Sequence, residues 1–336
     1  SLGPRLRAGD LAEQGSVRGG SHREPSPDRN ASEGSLEGMT RVQLADTDLF
    51  VPPLQLGGNP FGWGADRDQS FVVLDAYAEA GGNFIDTADA YSAWVEGNSG
   101  GESETIIGEW VKARGNRDEM VIATKVGMHP KRKGLDPANI RIAVDDSLRR
   151  LGTDHIDVYY AHRDDDDVDQ VAVAETFDAL VRSGKVSYLG ASNFSLERLQ
   201  KARKISTKFS LACYRVVQDR FNLVSRAAVD PQKQAYLRSE GIAELPFHSL
   251  ASGFLTGKHT GGDATGSVRG DRVADFVDDQ KALGALEVLH DVAADHGASM
   301  TATAIAWQLT HDFIPSTIAS ARVPEQLTEL LVGTEM

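Results

Sequence analysis

In GGNFIDTADAYS (residues 81–92), polar side chains directly follow a short apolar run. The run Asn83–Asp86 is a candidate strand. Amphipathic segments typical of helices lie on either side of it, at Gln69–Ala80 and Glu102–Arg114. The stretch is therefore one unit of a chain in which buried strands alternate with helices.

This alternation continues from residue 52 to near the end of the chain. Further candidate strands are Leu54–Leu56, Met120–Thr124, Ile156–Tyr160, Val186–Gly190, Arg215–Gln218, Ala243–Pro246 and Phe313–Ile318. Further candidate helices are Pro137–Arg150, Val168–Arg182, Leu196–Ile205 and Asp278–His296. Strict alternation implies parallel strands, and eight units close a barrel where five or six would leave an open sheet. We predict an α/β fold, a single (β/α)8 TIM barrel, with an N-terminal hairpin at residues 42–51 that closes its bottom.

The chain of 336 residues is long enough for two domains or for one barrel. No second domain is visible, so we assign residues 39–336 to the barrel. Residues 1–38 are rich in Gly, Ser, Arg and Pro and carry no hydrophobic period. We expect them to be a disordered or non-native extension, with Met39 as the natural start.

Composition limits the partners. A net charge of −14 repels phosphate backbones, which argues against nucleic acid. The single cysteine, Cys213, excludes an intramolecular disulfide and fits a reducing cytoplasm. No apolar run approaches the roughly 20 residues that a membrane span needs. We therefore expect a cytoplasmic protein with a small-molecule partner and no membrane contact, and homo-oligomerisation stays open.

Four polar residues follow three consecutive candidate strands: Asp86, Tyr91, Lys125 and His162. Active groups of parallel barrels lie at the carboxyl ends of strands, so these side chains should converge. Each residue also has an interpretation without catalysis. Asp86 could cap a helix and Tyr91 could pack in the core, while Lys125 could be a surface lysine and His162 a core histidine. Four such residues at neighbouring strand ends favour a catalytic site.

The four residue types form a coherent acid catalyst. A free tyrosine has a pKa near 10, which a neighbouring lysine would lower. A buried aspartate would hold the lysine in place, and a neutral histidine would orient a carbonyl oxygen. Together they could polarise a carbonyl and protonate the alkoxide as hydride arrives.

Five segments carry a resemblance to a known family: GGNFIDTADAYS (81–92), ATKVG (123–127), IDVYYAHRDD (156–165), GKVSYLGASNFS (184–195) and SLASGFLTGK (249–258). Together they resemble the aldo-keto reductase superfamily, in particular its bacterial branch similar to potassium-channel β-subunits. The resemblance runs from about residue 41 to about residue 331. It implies a (β/α)8 barrel, an NADPH cofactor bound without a Rossmann fold, and Asp86, Tyr91, Lys125 and His162 as the catalytic tetrad.

The resemblance also implies contacts to the cofactor. Ser192 and Asn193, with Gln218 beside them, would hold the nicotinamide carboxamide, and Phe247 would stack on the ring. For the rest of the cofactor, the resemblance implies a strap over the pyrophosphate that contains Leu250, Ser252 and Lys258. It also implies a clamp on the adenosine 2′-phosphate and adenine, made of Ser320, Arg322 and Gln326. An arginine suits that clamp, because its guanidinium forks onto a phosphate.

Several positions depart from the family pattern. Phe247 stands where tyrosine is usual, and Asp219-Arg220 after Gln218 is unusual. Leu330 stands where an asparagine commonly touches the adenine. The chain stops at Met336, short of the family's usual final helix. These departures bear on cofactor affinity more than on the chemistry.

Trp63 and Trp94 are candidates for the substrate pocket. Trp63 follows the first barrel strand, and Trp94 lies on a Gly-rich loop after Tyr91. Aromatic side chains often wall ligand sites, although both could simply pack in the core. We expect both to overhang the barrel mouth and the pocket to accept several aldehydes and activated ketones.

Other functions stay open at this point. The complete tetrad is compatible with a regulatory subunit that binds NADPH but turns over little. A barrel hydrolase or isomerase without a nicotinamide cofactor is a third interpretation. The acidic run Asp164–Asp167 is better explained as a solvated loop before a helix than as a metal site, so we expect no metal.

Overall fold

Eight short parallel strands form one curved sheet in the computed structural model, which describes residues 39–258 and 276–336. The expected extension over residues 1–38 lies outside these ranges. Strands β1 (Val42–Gln43) and β2 (Phe50–Val51) precede the sheet as an antiparallel hairpin. The sheet strands are β3 (Leu54–Gly57), β4 (Phe84–Asp86), β5 (Val121–Val126), β8 (Ile156–Ala161), β9 (Val186–Ser192), β10 (Tyr214–Gln218), β11 (Ala243–Glu244) and β12 (Thr317–Ala319).

The strands follow one another around the sheet in chain order, with β12 beside β3. The two remaining edges meet, because the Ile318 amide in β12 donates to the carbonyl of Pro246, two residues beyond β11, at 3.0 Å. A further backbone bond joins Glu244 N to Phe313 O at 2.9 Å. The sheet therefore closes, and the predicted (β/α)8 TIM barrel is confirmed.

The barrel core follows the two-residue period of the strands. Phe84, Val121 and Val158 belong to the hydrophobic cluster that also contains Leu44 and Val51 of the hairpin region. The alternate strand residues, such as Ile85, Ile122 and Tyr159, belong to a second cluster shared with the helices. The predicted hairpin is thus confirmed, and its side chains pack against the barrel interior.

Helices follow the sheet strands at Arg67–Glu79, Glu102–Arg114, Pro137–Leu151, Gln170–Arg182, Leu196–Phe209, Pro231–Glu240, Gln280–Asp295, Met300–Leu309 and Pro324–Val332. Polar caps begin several of them. Asp136 accepts from the Ala138 amide, and Ser195 accepts from the Arg198 amide, as side-chain caps do. Within the described ranges, no helix is long and apolar enough to cross a bilayer.

Two details differ from expectation. A second hairpin, β6 (Met128–His129) with β7 (Arg132–Lys133), follows β5 and was not predicted. The last strand begins at Thr317 rather than near Phe313. The reason is a turn before it, in which the Ile314 amide bonds the carbonyl of His311 at 2.9 Å.

Candidate active site

Four side chains meet at the carboxyl ends of β4, β5 and β8. Asp86 is the last residue of β4, Lys125 lies near the end of β5, and His162 directly follows β8. Lys125 Nζ lies 2.8 Å from Asp86 Oδ2 and 2.9 Å from Tyr91 Oη. The Tyr91 and His162 rings are 6.1 Å apart, centroid to centroid. The structure therefore brings together the four residues that the strand ends predicted.

The ion pair between Lys125 and Asp86 lies at the centre of this group, and both side chains make further hydrogen bonds. Lys125 is 0% exposed and Asp86 is 2% exposed. Lys125 also donates to the carbonyl of Thr87 at 2.7 Å, and Gln218 Nε2 donates to Asp86 Oδ1 at 2.9 Å. The attraction within a buried ion pair offsets the free energy of removing the charges from water only when additional hydrogen bonds satisfy the remaining polar atoms. Lys125 is thus held in a defined position beside the Tyr91 hydroxyl.

The acidity of Tyr91 differs from the expectation that Lys125 lowers its pKa. Burial raises the pKa of Tyr91 well above 10, and the negative charge of Asp86 raises it further. The hydroxyl donates to Asp86 Oδ2 at 3.0 Å, which stabilises its protonated form. Tyr91 therefore stays protonated at neutral pH, in the form that can donate a proton.

His162 is neutral at neutral pH. Burial, and then the positive charge of Lys125, lower its pKa well below 6.5. Its backbone is anchored, because the His162 amide donates to Val126 O at 2.9 Å and the His162 carbonyl accepts from Asn193 Nδ2 at 3.0 Å. A neutral imidazole can donate one hydrogen bond to a carbonyl oxygen, as the sequence predicted for this residue.

One groove extends from this group across the barrel mouth. Its cavity volume is about 280 Å³, and Asp86 and Tyr91 line one end of it. The predicted residues that line it are Trp63, Phe247, Leu250, Ser252, Lys258, Ser320, Arg322 and Gln326. Ser192 and Gln218 are instead buried beneath the surface. Sequence reasoning missed Asn59 and Glu329 in the lining, since no motif marks them, and Thr256, which lies inside the predicted strap, was not singled out.

The loop after β11 has an unusual backbone. Three non-glycine residues adopt positive φ angles there: His248 (60°), Ala251 (48°) and Ser252 (60°). Such conformations cost on the order of 1–3 kcal/mol each and concentrate at ligand-binding segments. The residues lie in or beside the predicted strap Leu250–Lys258, so this strain fits a loop shaped to hold a ligand.

The far end of the groove carries the predicted clamp. Gln326 Oε1 accepts from the Arg322 amide at 2.9 Å, and the Arg322 side chain is exposed. The helix Pro324–Val332 begins here, and Val323 at its N-cap provides no side-chain hydrogen bond. Amides of its first turn can donate hydrogen bonds to an anion, except Pro324, which has no N–H, and Gln326, whose amide donates to Val323 O at 3.2 Å.

The two tryptophans form an aromatic wall beside Tyr91. The Trp63 and Trp94 rings lie edge to face at 5.6 Å, and Trp94 lies 6.4 Å from Tyr91. Trp63 is anchored by a hydrogen bond from Nε1 to Asn59 O at 2.5 Å. Trp94 is 47% exposed. Of the two rings, Trp63 lines the groove, and Trp94 is not among the described residues that line it.

The barrel thus has a buried Asp86–Lys125 pair, Tyr91 and a neutral His162 at its mouth. Residues 53–333 match the Aldo/keto reductase family. The chain therefore belongs to the aldo/keto reductase family, as its motifs indicated.

Curated relatives agree with this assignment. The uncharacterized oxidoreductase YrpG of Bacillus subtilis is 32% identical over 308 residues, which cover 89% of this chain and 92% of that protein. An aryl-alcohol dehydrogenase [NADP(+)] of Phanerodontia chrysosporium is 34% identical over 239 residues, which cover 64% of this chain and 60% of that protein. A putative voltage-gated potassium channel subunit beta of Schizosaccharomyces pombe is 30% identical over 310 residues, which cover 87% of each chain.

Proposed function

We propose that this protein reduces aldehydes or ketones to alcohols with NADPH, and that Tyr91 is the general acid. The observation that carries the proposal is the environment of the Tyr91 hydroxyl. It contacts both Lys125 and Asp86 and borders a groove whose other end contains Arg322. A proton donor and a phosphate-binding cation in one groove fit a reductase that uses a phosphorylated nicotinamide cofactor.

The residues of the chain would move one proton. A substrate carbonyl oxygen would accept hydrogen bonds from His162 and from Tyr91, whose single O–H would turn from Asp86 to the substrate, and these bonds would orient and polarise the carbonyl. Negative charge grows on this oxygen during reduction, and Tyr91 transfers its proton to it. The ammonium of Lys125, 2.9 Å from the hydroxyl, stabilises the phenolate that remains. Solvent then returns a proton to Tyr91.

The groove has groups suited to NADPH, which supplies the hydride when bound. Phe247 lines the groove and offers an aromatic ring, and Ser192 and Gln218 are buried. Lys258 and Arg322 offer positive charge to phosphates in a chain whose net charge is −14. Ser320 and Gln326 add hydrogen-bonding groups next to Arg322. We propose that these residues, with Asn193, Leu250 and Ser252, hold the cofactor.

Turnover with a carbonyl panel tests this function. The purified full chain is mixed with NADPH and with aliphatic, aromatic and sugar carbonyls, and cofactor oxidation is followed by absorbance. We expect several aldehydes to be reduced, with the alcohol product identified by mass spectrometry. An absence of both NADPH binding and turnover would overturn the proposal and favour a barrel enzyme without nicotinamide.

A second candidate function has one observation in its favour. One relative is named as a putative potassium channel subunit beta, so this chain could bind NADPH chiefly as a regulatory subunit. That function predicts tight NADPH binding by fluorescence titration with turnover near zero across the panel. The same two measurements therefore separate the two candidates.

A further inference from the structure

Three ionisable side chains are buried behind the proposed active site, and the mechanism above does not use them. Asp219, Lys233 and Glu244 have exposed fractions of 2%, 3% and 0%. Lys233 Nζ lies 2.5 Å from Asp219 Oδ2. Burying an ammonium and two carboxyl groups is costly, and an apolar cluster of similar volume would often be as stable. Stability alone therefore does not account for this cluster.

The contacts of this cluster join three successive strand ends. Lys233 Nζ donates to the carbonyl of Phe194 at 2.8 Å, and Phe194 lies two residues beyond β9. Lys233 also pairs with Asp219, which directly follows β10. Glu244 Oε1, in β11, accepts from the Asp219 amide at 2.8 Å. The Asp219 carbonyl accepts from the Phe247 amide at 3.0 Å. The cluster thus ties together the segments that follow β9, β10 and β11.

The residues next to these anchoring points contact the tetrad. Gln218, which directly precedes Asp219, donates to the catalytic carboxylate of Asp86 at 2.9 Å. Asn193, which directly precedes Phe194, donates to the carbonyl of His162 at 3.0 Å. Displacing either anchoring point would therefore move a residue that orients Asp86 or His162.

The cluster can carry no net charge although it contains three ionisable groups. Burial and the negative charge of Asp219 raise the pKa of Glu244 well above its usual value. A protonated Glu244 leaves one ammonium and one carboxylate, which neutralise each other. Glutamine would therefore reproduce the form of residue 244 that the cluster holds.

We propose that Asp219, Lys233 and Glu244 are positioning residues, which fix the ends of β9, β10 and β11 so that Gln218 orients Asp86 and Asn193 orients His162. All three are buried, and none of them is among the described residues that line the groove. The proposal rests on the function proposed above, because Asp86 and His162 matter here as members of the reducing site.

The test removes the charge pair without leaving a buried charge. The double variant Lys233→Met/Asp219→Asn keeps the side-chain volumes but withdraws the donor from Phe194 O. We expect kcat for an aldehyde to fall about 10-fold or more, since misplacement by about 1 Å can cost 10²-fold. The affinity for 2′,5′-ADP, which lacks the nicotinamide, should be unchanged because the Arg322 end of the groove is untouched.

Two control variants separate positioning from stability. Arg117→Met/Asp157→Asn removes another largely buried pair, 2.8 Å apart, in which Asp157 lies near the start of β8. It should lower Tm without lowering kcat. Glu244→Gln should keep kcat within about twofold of the wild type. The proposal is overturned if the Lys233/Asp219 double variant keeps wild-type kcat, or if the Arg117/Asp157 variant loses as much.

A second measurement does not depend on turnover. Hydrogen exchange followed by mass spectrometry should show faster exchange in peptides containing Asn193 and Phe247 of the Lys233/Asp219 variant, with little change around Asp157. Unchanged exchange at both peptides would overturn the positioning role. A wild-type chain that reduces no carbonyl, yet whose variant shows the faster exchange, would instead count against the proposed function alone.

Discussion

Replacing Tyr91 with phenylalanine is the sharpest test of the proposed chemistry. The change removes one oxygen, which contacts Asp86 at 3.0 Å and Lys125 at 2.9 Å. Lys125 keeps its bonds to Asp86 and to Thr87 O, so no charge is left without a partner. The free energy of unfolding should therefore change by only about 1 kcal/mol, the net worth of an ordinary hydrogen bond.

Turnover should respond far more strongly than stability. A positioned general acid contributes about 10²–10⁴ in rate. We expect Tyr91→Phe to lower kcat by about 10³, which corresponds to about 4 kcal/mol of activation free energy. NADPH affinity should stay close to that of the wild type, because the Arg322 end of the groove is unaltered. The assay combines steady-state carbonyl reduction with a fluorescence titration of NADPH.

Tyr159→Phe is the matched control. Its hydroxyl is buried, and within the described part of the chain it has no hydrogen-bond partner. Its ring packs against Phe177 at 5.9 Å, in the cluster shared with the helices. The same loss of one oxygen should leave kcat unchanged there. If Tyr91→Phe kept more than about a tenth of wild-type kcat, Tyr91 would not be the acid.

Three further predictions concern the cofactor, pH and the substrate. Arg322→Ala should weaken NADPH binding by about 1.5–3 kcal/mol, the worth of a charge-assisted hydrogen bond, and barely affect NADH; equal losses in paired titrations would place Arg322 outside the phosphate site. Burial, and then the charge of Glu104, raise the pKa of Asp89 to about 8, so its carboxyl is neutral in the folded state but ionised when unfolded above about pH 4. The free energy of unfolding should therefore fall as pH rises from about 4 to 8, by up to about 1.4 kcal/mol per pH unit. Asp89→Asn should remove this pH dependence, which urea unfolding at pH 5 and pH 8 measures. Trp94→Ala should raise KM for aromatic aldehydes more than for small aliphatic ones, and an equal change for both would exclude Trp94 from the pocket.

Several parts of the fold were predictable because their signals are local. A short apolar run followed by polar residues marks each strand and its carboxyl end, and the helix Glu102–Arg114 has the predicted bounds. The bounds of some strands differ from the prediction, as at Thr317, because a strand ends where its backbone stops bonding to neighbouring strands. The hairpin Met128–Lys133 had no apolar alternation to reveal it.

The class of fold and the four side chains at the strand ends could be read from the amino-acid sequence alone. Parallel strands that are joined by helices must place their carboxyl ends together, so Asp86, Lys125 and His162 could be grouped without coordinates. The five motifs then indicated the family, and the family match over residues 53–333 confirmed it.

The contacts that hold these side chains in place are visible only in the folded chain. Gln218 reaches Asp86 across 132 positions of sequence, and Lys233 reaches Phe194 across 39. The raised pKa of Tyr91 likewise follows from its burial and from the charge of Asp86 beside it. Hydrophobic periodicity reports which face of an element is buried, because that pattern repeats within a few residues. Hydrogen bonds between buried polar atoms depend on distances of a few tenths of an ångström between distant segments, and only the folded chain sets those distances.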